Sequence, residues 1–233
     1  MKIGIIGAMD SEVTMLQEAL ADAQVCEYAG MRFCAGKLQG TDTVVVKCGI
    51  GKVNAAMCVQ LLKDRFDVTH IINTGVAGAL SPELDIGDIV ISEEAVQHDF
   101  DLSPIGFRQA EIPPFGLIAF PADKAMQDIA RKAVQDTDLG ISVLTGRICS
   151  GDQFIAGNAQ KQSITSRFGG LCAEMEGAAI AQTCFANDLP FVILRAISDR
   201  ADDSGGMSFS EFEAQAAKNC AAIVLRMTAI LSE

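Results

Sequence analysis

Between Leu171 and Asp203 the chain reads LCAEMEGAAIAQTCFANDLPFVILRAISDRADD, which sets Glu174, Glu176 and Asp199 at the edges of apolar runs. A half-buried carboxylate costs free energy unless it has a partner or a task. Any one of these acids alone reads as a surface group at a strand end. Together, each at the edge of an apolar segment, they mark the stretch expected to carry chemistry.

Glycine-rich segments supply the other candidate ligand contacts. GIIGAM at Gly4 to Met9 lacks the GxGxxG spacing of a dinucleotide fold, and Asp10 and Glu12 would repel a pyrophosphate placed there. GIGKV at Gly49 to Val53 is not a triphosphate loop, because that pattern needs glycine where Val46 stands and Ser or Thr where Val53 stands. With NTGVAG at Asn73 to Gly78 they share small residues at strand ends, where open α/β sheets bind ligands; each alone could equally be a tight turn. The eight cysteines show no CxxC pairing, and most sit in apolar surroundings as small buried hydrophobes. With only His70 and His98 beside them, neither a structural zinc site nor a Cys–His nucleophile is expected.

The elements that position these residues alternate strand and helix. Lys2 to Ile6 is read as strand and Ser11 to Leu20 as helix, followed by a hairpin from Gln24 to Gly30 and Arg32 to Leu38. Strand Thr43 to Cys48, helix Val53 to Phe66 with apolar Val53, Met57, Leu61 and Leu62, and strand Val68 to Asn73 form a βαβ unit. A strand from Ile86 to Val96 precedes an irregular Pro- and Gly-rich stretch, Phe100 to Ala119, long enough to suggest function. Helix Asp123 to Asp136, strand Ile141 to Cys149, helix Ala159 to Phe168, strand Leu171 to Glu174, helix Gly177 to Asn187, strand Phe191 to Ile197 and helix Ser210 to Leu231 follow. No linker or repeat divides the chain, so one α/β domain over residues 1–233 is expected, its central mixed sheet flanked by helices.

Composition narrows the function classes. At 233 residues, 49% hydrophobic and 21% charged, the chain can bury its own core. Its net charge of -12, with no cluster of basic residues, argues against nucleic-acid binding. No signal peptide and no apolar stretch of about 18 residues is seen, so a soluble cytoplasmic protein is expected, with no membrane partner.

Taken in order, KIGIIGAMDSEV (Lys2 to Val13), KCGIGKVNAA (Lys47 to Ala56), INTGVAGAL (Ile72 to Leu80), GDIVISEEAVQHD (Gly87 to Asp99), SGDQFI (Ser150 to Ile155), AEMEGAAIAQ (Ala173 to Gln182) and RAISDRAD (Arg195 to Asp202) carry a resemblance over essentially the whole chain. The sequence resembles the 5'-methylthioadenosine/S-adenosylhomocysteine nucleosidases of the nucleoside phosphorylase and hydrolase superfamily. The resemblance implies hydrolysis of an adenine nucleoside by water, without cofactor or metal, in a homodimer. Glu12 then holds the attacking water, and Asp199, oriented by Ser198, assists protonation of adenine at N7. The transition state resembles an oxocarbenium ion, so one face needs an activated water and the other an acid for the departing base.

By the same resemblance Glu176 accepts the ribose hydroxyls, Arg195 balances the acidic cluster or serves as a structural charge partner, and Phe154 lies against adenine. The backbone at Ile155 faces the base's polar edge, Met175 lies beneath the ribose, Val76 and Gly78 line the site, and Met9, Ile50 and Phe209 line the thioether tail. Leu102, Ile105, Phe107 and Pro113 are implied to reach the partner subunit's site. Val76 stands where a serine is common, Gln153 where a small residue is, and where better-known members carry aromatic residues this chain has aliphatic Ile105 and the hydroxyl-free ring of Phe107. Two relatives in chemistry compete: an aminodeoxyfutalosine nucleosidase, and a phosphorylase, which should supply arginines near the Gly4 to Val13 and Gly75 to Gly78 turns, where the sequence places none.

Overall fold

The protein is described by a computed structural model covering residues 1–232. Its central strands are apolar on both sides because both sides are covered by helices. In β4 (Thr41–Lys47), Val44 and Val46 face one layer and Val45 the other. Ile5 and Ile6 of β1 (Lys2–Gly7), and Ile71 and Ile72 of β5 (His70–Ala79), divide in the same way, as the two-residue period of a strand requires. One layer holds α2 (Lys52–Phe66) and α5 (Gly177–Ala186). The other holds α1 (Asp10–Glu18), α3 (Lys124–Thr137) and the long α6 (Gly205–Ser232).

β1 lies between β4 and β5 with both pairings parallel, and the antiparallel hairpin of β2 (Ala21–Tyr28) and β3 (Met31–Leu38) extends that edge. On the other side the sheet closes on itself. β10 (Phe191–Asp199) pairs with β5 and with β6 (Ile89–Gln97), β6 with β8 (Val143–Ser150), β8 with β9 (Cys172–Glu174), and β9 returns to the end of β5. The short β7 (Ala119–Pro121) adds to β6, and α4 (Asn158–Phe168) joins β8 to β9. The mixed sheet matches the sequence reading, and the parallel β1, β5 and β10 end on one side, where a ligand crevice is expected.

Differences from the sequence reading have local causes. β5 runs on to Ala79, so NTGVAG is strand rather than a turn at a strand end. In α2 half of the expected apolar set is buried: Leu62 faces the core with Ala55, Cys58, Val59 and Phe66, and Leu61 packs partly against it, while Val53 and Met57 are 71% and 40% exposed. α6 begins at Gly205, ahead of the expected Ser210. Residues 100–119 are irregular as expected, broken only by a single 3-10 turn at Ser103–Ile105, an isolated bridge from Ile112 to Leu117, and the start of β7. Seven cysteines are buried, Cys26 is exposed, and all eight are free. Among the described residues, no helix is long and apolar enough to cross a membrane.

Candidate active site

Glu12 sits in the first turn of α1, just beyond β1, and its carboxylate points back to the strand ends. Oε2 accepts the Ala8 and Met9 N–H groups at 2.6 and 3.0 Å, and Oε1 accepts the Val76 N–H at 3.1 Å. Bonding back to the N-cap residue is the usual role of an acid at this helix position. Three backbone donors and the charge of Arg195 favour ionisation, yet burial outweighs them and raises the Glu12 pKa above the ordinary glutamate range.

Asp199 ends β10 and is 2% exposed. Its Oδ2 accepts the Ser198 hydroxyl at 2.9 Å and its Oδ1 the Ala201 N–H at 2.8 Å, which fixes the orientation of the carboxyl. Burial again raises the pKa over the opposing hydrogen bonds. The expectation that Ser198 orients Asp199 therefore has a direct contact behind it.

The two acids of EME separate in role. Glu174, at the end of β9, accepts the Gly177 N–H at 3.0 and 2.8 Å and the Glu176 N–H at 3.1 Å, capping α5. It also contacts the Arg195 guanidinium and the Ser150 hydroxyl. Burial works against its charge, but Arg195 and these donors prevail and hold it below the ordinary range. Among the described residues the Glu176 carboxylate has one hydrogen-bond partner, the Gly51 N–H, which its Oε1 accepts at 2.8 Å. Burial first, and then the charge of Glu174, push it up to about 8. Its remaining acceptor positions are free for a ligand's hydroxyls.

Glu12, Glu176, Ser198 and Asp199 line one cavity, together with Met9, Ile50, Val76, Gly78, Phe154, Met175 and Phe209. Phe154 and Phe209 meet edge to face at the mouth, their centroids 5.5 Å apart. Ile155 lines an adjoining cavity that shares Gly78, Phe154, Met175 and Asp199 with the first, and Gln153 borders that second space but not the first. Leu102, Ile105, Phe107 and Pro113 do not line the cavity of their own chain. Ile105 and Phe107 are instead 69% and 38% exposed.

Arg195 corrects one expectation. The sequence places no arginine near the Gly75 to Gly78 segment, but pairing of β10 with β5 sets Arg195 opposite Gly75. It is not presented to the cavity as an anion ligand, because Nη2 serves Glu174 and, at 2.6 Å, Asn73, while Nη1 donates to the Leu194 carbonyl at 3.0 Å. Sequence reasoning noted Glu174 but gave it no role and missed Asn73, Ser150 and the Gly51 N–H; the second acid of EME and the glycine before Lys52 were the available signals.

A cavity at the carboxyl ends of parallel strands, with carboxyls of raised pKa beside an aromatic wall, defines an α/β protein with a ligand crevice equipped for acid–base chemistry. The phosphorylase superfamily model matches residues 2–229. The 5'-methylthioadenosine/S-adenosylhomocysteine nucleosidase of Geobacillus kaustophilus (strain HTA426) is 43% identical over 235 aligned residues, covering 100% of this chain and 99% of that one. The crystal structure of the nucleosidase of that name from Neisseria meningitidis, in complex with methylthio-immucillin-A, superposes with a TM-score of 0.95 at 35% identity, covering 98% and 99% of the two chains. The native structure of futalosine hydrolase of Helicobacter pylori strain 26695 reaches 0.92 at 32% identity, covering 97% and 96%. The chain belongs to the 5'-methylthioadenosine/S-adenosylhomocysteine nucleosidase family of the phosphorylase superfamily.

Proposed function

We propose that this chain hydrolyses the N-glycosidic bond of 5'-methylthioadenosine and S-adenosylhomocysteine, and also of 5'-deoxyadenosine, releasing adenine in methionine salvage. The observation that carries the mechanism is that Glu12 and Asp199 line one cavity, each held by hydrogen bonds and each raised in pKa by burial. Glu12 takes a proton from the water that attacks the anomeric carbon, and its raised pKa suits it to keep that proton. Asp199, held by Ser198, supplies a proton toward N7 of adenine, and its raised pKa keeps it an acid closer to neutrality. Glu176 binds the ribose hydroxyls, and in its ionised form its charge favours a sugar becoming cationic.

Around these acids Phe154 packs on the base, the Ile155 backbone meets its polar edge, Met175 lies under the ribose, and Met9, Ile50 and Phe209 follow the tail. Arg195 keeps Glu174 ionised behind the site. Water rather than phosphate is the nucleophile, because Glu12, Glu174 and Glu176 lie on the cavity and the nearby arginine is engaged by Glu174 and Asn73. Exposed Ile105 and Phe107 on residues 100–119, with exposed Ile50, Val53 and Met57 at the start of α2, support a homodimer in which this arm closes the partner's tail site.

The likeness to futalosine hydrolase favours one second reading, cleavage of aminodeoxyfutalosine at the same bond. Adenine release from a panel of methylthioadenosine, adenosylhomocysteine, 5'-deoxyadenosine and aminodeoxyfutalosine tests both. The first reading expects highest kcat/KM for the thioether nucleosides; turnover confined to aminodeoxyfutalosine would replace it with the second.

A further inference from the structure

Three segments, two of which line the cavity through Ile50 and Phe154, are tied together outside it. The Lys52 N–H, the first of α2, donates to Asp152 Oδ1 at 2.8 Å, so a carboxylate from the loop after β8 caps this helix. The Asp152 N–H donates to Asp99 Oδ2 at 2.9 Å, and the Lys52 ammonium returns to Asp99 Oδ1 at 2.6 Å and to Gln97 Oε1 at 3.1 Å. The ring is closed and its ion pair is shielded, with side chains 18% and 17% exposed. Gly51 fits into it only as glycine: its φ is 100° and a Cβ there would lie 3.1 Å from Asp152 Oδ1.

Each corner adjoins a working part. Gly51, one residue before Lys52, donates to Glu176, and Phe154 and Ile155 follow Asp152 after the single residue Gln153. Residues 100–119 begin one residue beyond Asp99. Glu12, Ser198 and Asp199 take no part in the ring.

We propose that Asp152 is a positioning residue: with Lys52 and Asp99 it holds the loop that anchors Glu176 and the loop that carries Phe154 in one fixed spacing, and so sets how tightly the nucleoside is held before reaction. The GIGK segment then acts as one corner of a clasp between two binding loops. This rests on the nucleosidase reading for the substrate, and its effect falls on binding because the groups assigned to proton transfer lie outside the ring.

The test compares Asp152→Ala, Asp152→Asn and Lys52→Met with wild type, by kcat and KM for methylthioadenosine, by calorimetric binding of adenine, and by Tm. Asp152→Ala is expected to raise KM about tenfold or more, to weaken adenine binding by a similar factor, and to change kcat less than threefold. Asp152→Asn, which keeps an acceptor for the Lys52 N–H, should recover most of the KM. Lys52→Met should raise KM in the same sense, and decides the matter if Asp152→Ala does not fold. A folded Asp152→Ala, or in its absence Lys52→Met, with KM and adenine affinity within twofold of wild type overturns the proposal, as does equal damage from Asn and Ala. Wild type that binds adenine but leaves methylthioadenosine intact would sink the nucleosidase reading instead, while the adenine measurements still judge the clasp.

Discussion

A Cβ added to Gly75 would lie 2.4 Å from Glu12 Oε1, so β5 passes the carboxylate only because residue 75 has no side chain. Gly78 stands in the same relation to Asp199, with 2.7 Å from its would-be Cβ to Oδ1. Two glycines in one buried strand thus make room for the two acids assigned to proton transfer.

Gly75→Ala should fold with a lowered Tm and lose about 10²-fold in kcat, the scale of a displacement near 1 Å at a reacting group. Thermal melts and steady-state rates check both. Unchanged kcat would mean that the position of Glu12 does not matter.

Glu12→Gln should fold and lose nearly all turnover, since the amide keeps the shape and one of the two acceptor oxygens but removes the base. Retention of more than about a tenth of wild-type kcat would contradict its role in water activation, for which general base catalysis is worth roughly 10²–10⁴-fold. Asp199→Asn should lose a comparable factor, and Ser198→Ala less, since Ala201 still holds one carboxyl oxygen. If Asp199→Asn weakens binding while kcat stands, Asp199 is a clamp on substrate and not the acid.

Stability should depend on pH through Glu176. Burial and the charge of Glu174 raise it to about 8, so the folded protein holds this proton more tightly than the unfolded chain. Its contribution is then fully present below the ordinary glutamate range and is lost as pH climbs to about 8. Tm of the unliganded protein should fall across that window, and Glu176→Gln should remove much of the fall. Glu12 and Asp199, raised by burial too, leave a residual slope of the same sign. A slope untouched by Glu176→Gln would show that this carboxyl is ionised throughout.

The sheet was legible in the sequence because buried parallel strands carry apolar runs such as FVIL and VVV. The acids were legible for the related reason that ionisable groups rarely interrupt such runs. The long-range partners were not: Arg195 reaches Glu174 and Asn73 across three strands, and no spacing encodes that pairing. Nor does helical period tell which apolar stripe of α2 meets the core, since Val53 and Met57 keep the spacing yet lie outside. Glycine at 75 and 78 read as turn because sequence alone does not distinguish a bend from a strand that something else approaches closely.

Phe107 tests the arm. It is 38% exposed and absent from the cavity of its own chain, so a direct contact with the tail site is one that the proposed second copy would make. Phe107→Ala should weaken methylthioadenosine binding by about 1–3 kcal/mol, the scale for a buried apolar side chain, and affect adenosine less. Equal losses for the two nucleosides, or a fully active monomer in sedimentation, would show that the arm builds no tail site.

Transfer to water is the central claim, and product analysis reaches it most directly. Methylthioadenosine is incubated with the enzyme with and without millimolar phosphate, and both products are identified. Adenine with free methylthioribose, at a rate that phosphate does not raise, is the expected result; methylthioribose 1-phosphate as the main product would contradict it.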